Sequence, residues 1–173
     1  TGIGFLGAVS RDESHPIGKR VVVVGGGNTA IDAARTALRL GAGEVAILYR
    51  RTRAEMPAWE EEIVAAEEEG VKLEILAAPV KIERNDDGTL SMPCIRMELG
   101  EPDESGRRRP MPQEGSEHVR VLDNAICAIG QGVDATMADG LELERWGNIQ
   151  ADPHTMRTSQ PDVFAGGDCV TGA

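Results

Sequence analysis

The feature that most constrains this chain is the run Val21-Val22-Val23-Val24, followed without a spacer by Gly25-Gly26-Gly27. Four consecutive β-branched residues favour extended backbone, and an unbroken apolar run needs cover on both faces, as in a parallel sheet. Three glycines stop the strand and permit a tight turn. Asn28 to Leu40 then carries Ile31, Ala34 and Leu38 at helical spacing, and Gly41 closes it. Glu44 to Tyr49 is a second apolar run of strand length. Strand, glycine turn, helix and strand follow within about thirty residues, the size of a βαβ crossover unit.

Around this unit the pattern predicts further elements. Phe5, Leu6 and Val9 mark a short helix within Thr1–Arg11, and Asp12–Gly18 reads as a polar loop. Pro57 opens a helix that runs to about Glu69 with Trp59, Ile63 and Ala66 turned inward, and Gly70 ends it. Val71–Leu76 is a third strand. Val80–Arg84, Leu90–Leu99 and His118–Val121 then read as short strands of an antiparallel meander. The polar stretch Glu101–Gly115, with Arg107-Arg108-Arg109, reads as a surface hairpin connection in preference to a phosphate grip. Asp123–Ile129 is a core-like strand that exits into Gly130-Gln131-Gly132. Trp146–Thr155 suggests a turn between short strands, and Pro161–Ala165 a last strand before Gly166-Gly167-Asp168.

Composition narrows the class of function. The formal net charge is −11 and only 3% of residues are aromatic, which disfavours a nucleic-acid partner. The acidity gathers in Glu60–Glu62 and Glu67–Glu69, read as a solvated helix face. No apolar run reaches the ~20 residues of a membrane span, so no membrane partner is expected. Cys94, Cys127 and Cys169 lie far apart and form no CxxC pair, which agrees with a reducing cytosol; they read as small buried side chains. A cytoplasmic location and no metal site are the expectations. His15, His118 and His154 have no spaced carboxylate or Cys partner and read as surface residues. The absence of an initiator Met and the ending at Gly172-Ala173 read as two cut ends.

Gly25-Gly26-Gly27-Asn28-Thr29-Ala30 fits G-x-G-x-x-A, and its place between an all-Val strand and a helix gives the match its meaning. Gly25 permits the turn, Gly27 lets the backbone approach a pyrophosphate, and Ala30 lets helix and strand pack closely. The helix N-terminus supplies unpaired N–H donors and positive partial charge for phosphates, and Asn28 and Thr29 offer side-chain donors. The end of the second strand then selects the dinucleotide. It carries Tyr49-Arg50-Arg51-Thr52-Arg53 where an NAD site places Asp or Glu against the ribose hydroxyls. A guanidinium suits a 2′-phosphate, so NADP(H) is expected, on Arg50 first, Arg51 next and Arg53 less firmly. The missing acid also counts against an S-adenosylmethionine-dependent methyltransferase. Glu55 is read either as an ion-pair partner that orients Arg50 or Arg51, or as a helix-start carboxylate.

With these residues assembled, the chain resembles the NADPH-binding region of the glutamate synthase small-subunit family. That family is related to the pyrimidine-reducing dehydrogenases and other two-dinucleotide-binding flavoproteins. The stretches that carry the resemblance are VVVVGGGNTAIDAARTALRLGA (Val21–Ala42), VAILYRRTRAEMPA (Val45–Ala58), EEEGV (Glu67–Val71), CAIGQ (Cys127–Gln131) and DVFAGGDCVTGA (Asp162–Ala173). The fold class it implies is α/β: a Rossmann-like parallel sheet with a βαβ dinucleotide-binding unit and an antiparallel β-meander, of the two-dinucleotide-binding flavoprotein type. It further implies that 19–155 is the NADP(H)-binding domain, 1–18 a linker from an FAD domain, and 156–173 the segment that returns to it. Ala128, Ile129 and Gly130 would line the bound NADPH, or else form a plain strand exit. Gly167 and Asp168 would approach the flavin, or else serve as a turn or capping pair. The implied chemistry is hydride transfer from NADPH to FAD, carried by the cofactors, so no catalytic side chain is nominated. An FAD domain and an iron–sulfur or large catalytic subunit are the implied partners, with the isolated piece inactive. The competing reading is a stand-alone dinucleotide-binding or redox-sensing module that transfers no hydride.

Overall fold

Val22 and Val23 sit next to each other in sequence and point into two different cores, and this explains the all-Val strand. The computed structural model describes residues 1–13, 16–102, 106–134 and 138–172. These divide into two compact units, Thr1–Ile129 and Gly130–Ala173. In chain order the first unit contains α1 (Gly2–Ser10), β1 (Arg20–Val24), α2 (Asn28–Arg39), β2 (Glu44–Tyr49) and α3 (Glu60–Glu68). β3 (Lys72–Ile75), β4 (Ala77–Pro79), β5 (Glu83–Arg84), β6 (Leu90–Pro102), β7 (Arg108–Pro112), β8 (His118–Leu122) and β9 (Asn124–Cys127) follow. A parallel sheet of order β3-β2-β1-β9 forms the centre, with Val23 in register with Ile47 on one side and Ile126 on the other.

Alternation along the strands separates the two faces. Val21, Val23, Val45 and Ile47 pack with Ile31, Ala34 and Ile63 of the helices. Val22 and Leu48 pack instead with Met92, Cys94 and Leu122 of the meander. Each fully buried Val, Leu or Ile contributes about 1.5–3 kcal/mol of transfer free energy. The α2 face against the sheet is nearly all alanine: Ala30, Ala33, Ala34 and Ala37 are fully buried, so the helix axis lies close to β1. Leu76 takes a positive φ of 52° between β3 and β4, where the chain leaves the parallel sheet for the antiparallel one. There β6 is the central strand, paired with β4, β5, β7 and β8.

The expected α/β architecture with a βαβ unit and a meander is therefore the one found, with local departures. α3 begins at Glu60, and Trp59 before it is 68% exposed instead of inward, because the stretch from Met56 is still extended. Arg108 and Arg109 lie in β7 and not in a loop. The acidic face of α3 is paired: Arg35 of α2 binds Glu62 at 2.6 Å and Glu69 at 2.7 Å, and Arg39 binds Glu69 at 2.7 Å. Of the cysteines only Cys94 is buried; Cys127 is exposed and Cys169 half-buried.

The second unit is held mostly by turns. Among the described residues its sheet content is two isolated antiparallel bridges, Leu143 with Ile149 and Arg157 with Phe164, so Pro161–Ala165 forms no regular strand. Asp152 Oδ1 accepts from the main-chain N–H of His154 and Thr155 and from the Thr155 hydroxyl, which lowers its pKa. The unit closes with the single turn α4 (Asp168–Thr171). The division falls at Ile129/Gly130, whereas the motifs set a boundary after 155, and α1 packs within the first unit. His15 lies outside the described residues, and His118 and His154 are exposed.

Candidate functional site

The glycine turn lies at the C-terminal edge of β1, the end of a parallel sheet where ligands bind in open α/β folds. Gly25 has φ +144°, and a Cβ there would stand 2.2 Å from the Ala128 carbonyl oxygen. The exit of β9, anchored by Ala128 N–H to Val24 O at 2.8 Å, leaves no room for a side chain. Gly26 faces the Tyr49 ring, which a Cβ would meet at 2.6 Å. Gly27 differs: its φ is −91°, and a Cβ would meet only Pro57 Cγ at 3.8 Å. Ala30 is fully buried against the sheet.

The donors at this edge are unspent. Gly27 O accepts from Ala30 and Ile31, which starts α2, and Gly25 N–H is bonded to Leu48 O. The N–H groups of Gly26, Gly27, Asn28 and Thr29 have no acceptor among the described residues. Gly27 is the N-cap and has no side chain to close the helix end. Asn28 does not close it either: its Oδ1 accepts from Trp59 N–H at 3.1 Å and so ties the start of α3 to the turn. The result is a cluster of amides, buried at Gly26 and reaching the surface at Asn28, on the positive end of a twelve-residue helix, suited to an anion such as a pyrophosphate.

The arginines after β2 have different surroundings. Arg50 is exposed and makes no ion pair or hydrogen bond among the described residues. Arg51 is 8% exposed, and its Nε donates to the main-chain carbonyl of Arg108 in β7 at 2.8 Å. Arg53 does not face solvent alone; it binds Glu60 at 2.8 Å and Glu67 at 2.5 Å, and these carboxylates raise its pKa. Glu55 pairs with neither Arg50 nor Arg51. It forms a capping box with Thr52, whose hydroxyl holds the carboxyl below the usual carboxylate range. It is the helix-start carboxylate of the two readings. Tyr49 Oη donates to Glu55 O at 2.8 Å and further braces the loop.

The first unit thus brings together Gly25 to Ala30, Arg50, Arg51 and Ala128 at one edge, with Ile129 exposed at the end of this unit. Gly130, Gly167 and Asp168 belong to the second unit. Gly130 and Gly167 have positive φ, and Asp168 opens α4 beside a cavity of about 210 Å³ lined by Gln131, Gly132, Val133, Asp168 and Cys169. Among the described residues no cluster of His, Cys, Asp and Glu is suited to a metal ion, and no helix is long and apolar enough to cross a membrane. Pro57 and Trp59 border the glycine turn, although the periodicity had placed Trp59 in the core. Pro57 disfavours helical backbone at Met56 before it, and Trp59 is then held by Asn28, a partner distant in sequence.

Known proteins are similar to this chain in sequence and in fold. The chain is 49% identical over 174 residues to the NADP(+)-dependent formate dehydrogenase subunit beta of Moorella thermoacetica, covering 99% of this chain and 25% of that protein. It is 41% identical over 163 residues to the glutamate synthase [NADPH] small chain of Escherichia coli, covering 90% and 34% respectively. The chain therefore spans well under half the length of these relatives. Among solved structures, the thioredoxin reductase of T. acidophilum superposes with a TM-score of 0.66 at 21% identity over 90% of this chain and 45% of that one. FprA from Mycobacterium tuberculosis in complex with NADPH superposes with a TM-score of 0.69 at 18% identity, over 90% and 48%. These two share the fold. The sequence pattern of the pyridine nucleotide-disulphide oxidoreductases matches residues 5–173, and the chain belongs to that family.

Proposed function

We propose that the first unit holds NADP(H), with the pyrophosphate on the free amides at the head of α2 and the 2′-phosphate on Arg50. The observation that carries this reading is Gly27. Neither its backbone nor its packing calls for glycine, since φ is −91° and a Cβ would make only an ordinary van der Waals contact with Pro57. A glycine that the protein does not need for itself, beside four amides without acceptors, marks where a ligand comes close. Arg50 adds a free guanidinium at the end of β2, and Glu55, the nearest acid in sequence, is turned onto Thr52. Glu55 is thereby not set against a 2′-phosphate.

Ala128 and Ile129 then border the nicotinamide end. Residues 19–155 form the NADP(H)-binding part in this reading, while 1–18 and 156–173 belong with an FAD-binding part. Asp168 and Gly167 fit a flavin dinucleotide in part only: the cavity beside them, about 210 Å³, is below the ~300 Å³ of even small ligand pockets. The rest of that site is supplied by polypeptide beyond these residues, as the greater length of the relatives suggests. When bound, the two cofactors supply hydride transfer from nicotinamide to flavin; the chain's residues bind and orient them. A partner subunit, iron–sulfur-containing or large and catalytic, would take up the electrons, in keeping with relatives named as a beta subunit and a small chain.

The test is a titration with NADP⁺, NAD⁺ and S-adenosylmethionine, following thermal stability. Ligand at a hundred times its Kd adds about 2.7 kcal/mol to the folded state. NADP⁺ is expected to stabilise clearly more than NAD⁺ at equal concentration, and S-adenosylmethionine not at all. Equal responses to the two dinucleotides would refute the assignment of Arg50.

A further inference from the structure

Trp59 has no place in the core and no partner for its indole. It is 68% exposed, in a chain with only two tryptophans, and its Nε1–H meets no acceptor among the described residues. An indole left in water forfeits a large favourable burial. Yet its backbone is fixed. Its N–H donates to Asn28 Oδ1 at 3.1 Å, the N–H of Ala58 donates to Gly26 O at 3.1 Å, and Pro57 Cγ lies 3.8 Å from a Cβ placed on Gly27. Pro57, Ala58 and Trp59 therefore form a wall of the glycine turn. The wall stands on the β2 side, because α3 connects β2 to β3 and the sheet order β3-β2-β1-β9 puts the β9 exit on the opposite side. Arg50, the residue after β2, lies on this side too.

We infer that Trp59 is a binding residue that stacks on the adenosine half of the dinucleotide, an inference that rests on the NADP(H) reading of Gly27 and Arg50. A ligand whose phosphates sit at the head of α2 and whose 2′-phosphate reaches Arg50 passes along this wall, and Trp59 is the wall's exposed end. The indole presents a flat apolar face to a purine or ribose and an N–H to a hydroxyl or phosphate oxygen. Of the three carboxylates in the first turn of α3, Glu60 is bound to Arg53 and Glu62 to Arg35, which leaves Glu61 as the one carboxylate there without an ion pair among the described residues. The anchoring through Asn28 also gives that side chain a purpose: it places Trp59 and contributes no cap to α2.

The experiment uses Trp146→Phe, in which Trp59 is the sole tryptophan. Its emission is followed during titration with NADP⁺, adenosine 2′,5′-bisphosphate and nicotinamide mononucleotide, while calorimetry measures NADP⁺ binding in parallel. None of these ligands absorbs where tryptophan emits, and after correction for absorbed excitation light a saturable quenching reports binding beside the indole. NADP⁺ and the bisphosphate are expected to quench saturably, and nicotinamide mononucleotide not to. In the parent, Trp59→Ala is expected to bind NADP⁺ about tenfold more weakly and Trp59→Phe nearly normally. Heat of NADP⁺ binding without change in Trp59 emission, and with normal affinity in Trp59→Ala, would overturn the stacking role and leave the NADP(H) reading intact. Quenching by nicotinamide mononucleotide alone would overturn the assignment to the adenosine half. No heat from NADP⁺ would overturn both. Should Trp59→Ala fail to fold, the quenching in Trp146→Phe decides the matter.

Discussion

The guanidinium of Arg51 is bonded through Nε to the main-chain carbonyl of Arg108, 2.8 Å away, so an arginine from the end of the parallel sheet is built into the antiparallel one. Arg108 is itself tied down, its side chain donating to Leu99 O and Gly100 O. Leu76 N–H bonds back to Arg51 O at 3.0 Å. Arg51 thus joins the β2 exit to β6 and β7, while Arg50 is left facing solvent. Two adjacent arginines that look equivalent in sequence have different surroundings.

The first prediction separates them. Arg50→Ala should leave ligand-free stability within about 0.5 kcal/mol of the parent, as at an exposed site. It should weaken NADP⁺ binding by tenfold or so while sparing NAD⁺, because only the 2′-phosphate loses a charge-assisted partner. Arg51→Ala should lower stability by about 1–3 kcal/mol, since it removes a buried side chain together with its charged hydrogen bond to the Arg108 carbonyl. Its ratio of NADP⁺ to NAD⁺ affinity should stay near the parent's. Urea denaturation and calorimetry on both variants check this, and a collapse of the ratio in Arg51→Ala would assign the 2′-phosphate to both arginines.

The second prediction contrasts two glycines of one motif. Gly25→Ala places a methyl group 2.2 Å from Ala128 O at a φ of +144°, and neither the strand exit nor the turn can yield without the other. A loss of at least about 3 kcal/mol is expected, seen as a fall in the urea midpoint. Gly27→Ala adds only an ordinary contact with Pro57 and should fold with nearly unchanged stability, yet bind NADP⁺ at least about tenfold more weakly because the methyl group holds off the pyrophosphate. Normal NADP⁺ affinity in Gly27→Ala would remove the main support for the pyrophosphate position.

These contrasts show what was legible in the residues alone. Val21–Val24 and Gly25–Ala30 announce their elements because the signal is local: a strand covered on both faces, a turn and a helix start are each specified by adjacent residues. The meander was legible too, from short apolar runs. What escaped was decided by partners distant in sequence. Arg51 is fixed by Arg108, Trp59 by Asn28, and the acidic face of α3 by Arg35 and Arg39 of α2. The single turn α4 and the isolated bridges of the second unit carry no periodicity from which Pro161–Ala165 could be told apart from a strand.

The third prediction concerns the cysteines. Cys94 is fully buried between the sheets and its thiol donates to Met92 O at 3.5 Å; burial pushes its pKa up, and the thiolate is the reactive form. Cys127 is exposed at the end of β9. Iodoacetamide at pH 8 should label Cys127 in the folded protein and modify Cys94 roughly a hundredfold more slowly or less, at a rate that rises with urea as unfolding does. Peptide mass analysis reads both sites. Equal labelling would mean that the meander opens locally.

The last prediction is the pH dependence of the contact that starts β1. Asp123 accepts from the Arg20 guanidinium at 2.8 Å and from the Arg20 main-chain N–H at 2.8 Å, joining the approach to β9 with β1. The hydrogen bonds from the Arg20 side chain and main chain hold the Asp123 carboxyl down at about 2. An unfolded chain titrates Asp near 3.9 or so. A folded-state pKa below the unfolded value means that the contribution is complete above about pH 4 and disappears as the pH falls toward 2. Asp123→Asn keeps an oxygen for the Arg20 N–H but no charge to titrate. The variant should be less stable than the parent at pH 7, and the gap should narrow steadily between pH 4 and pH 2, measured by urea midpoints. Glu44, Glu55, Glu69, Asp87 and Asp152 also have lowered pKa values, so both proteins will lose stability in acid and only the difference between them reports on Asp123. Parallel stability curves would show that the carboxylate is not the origin of the contact's strength.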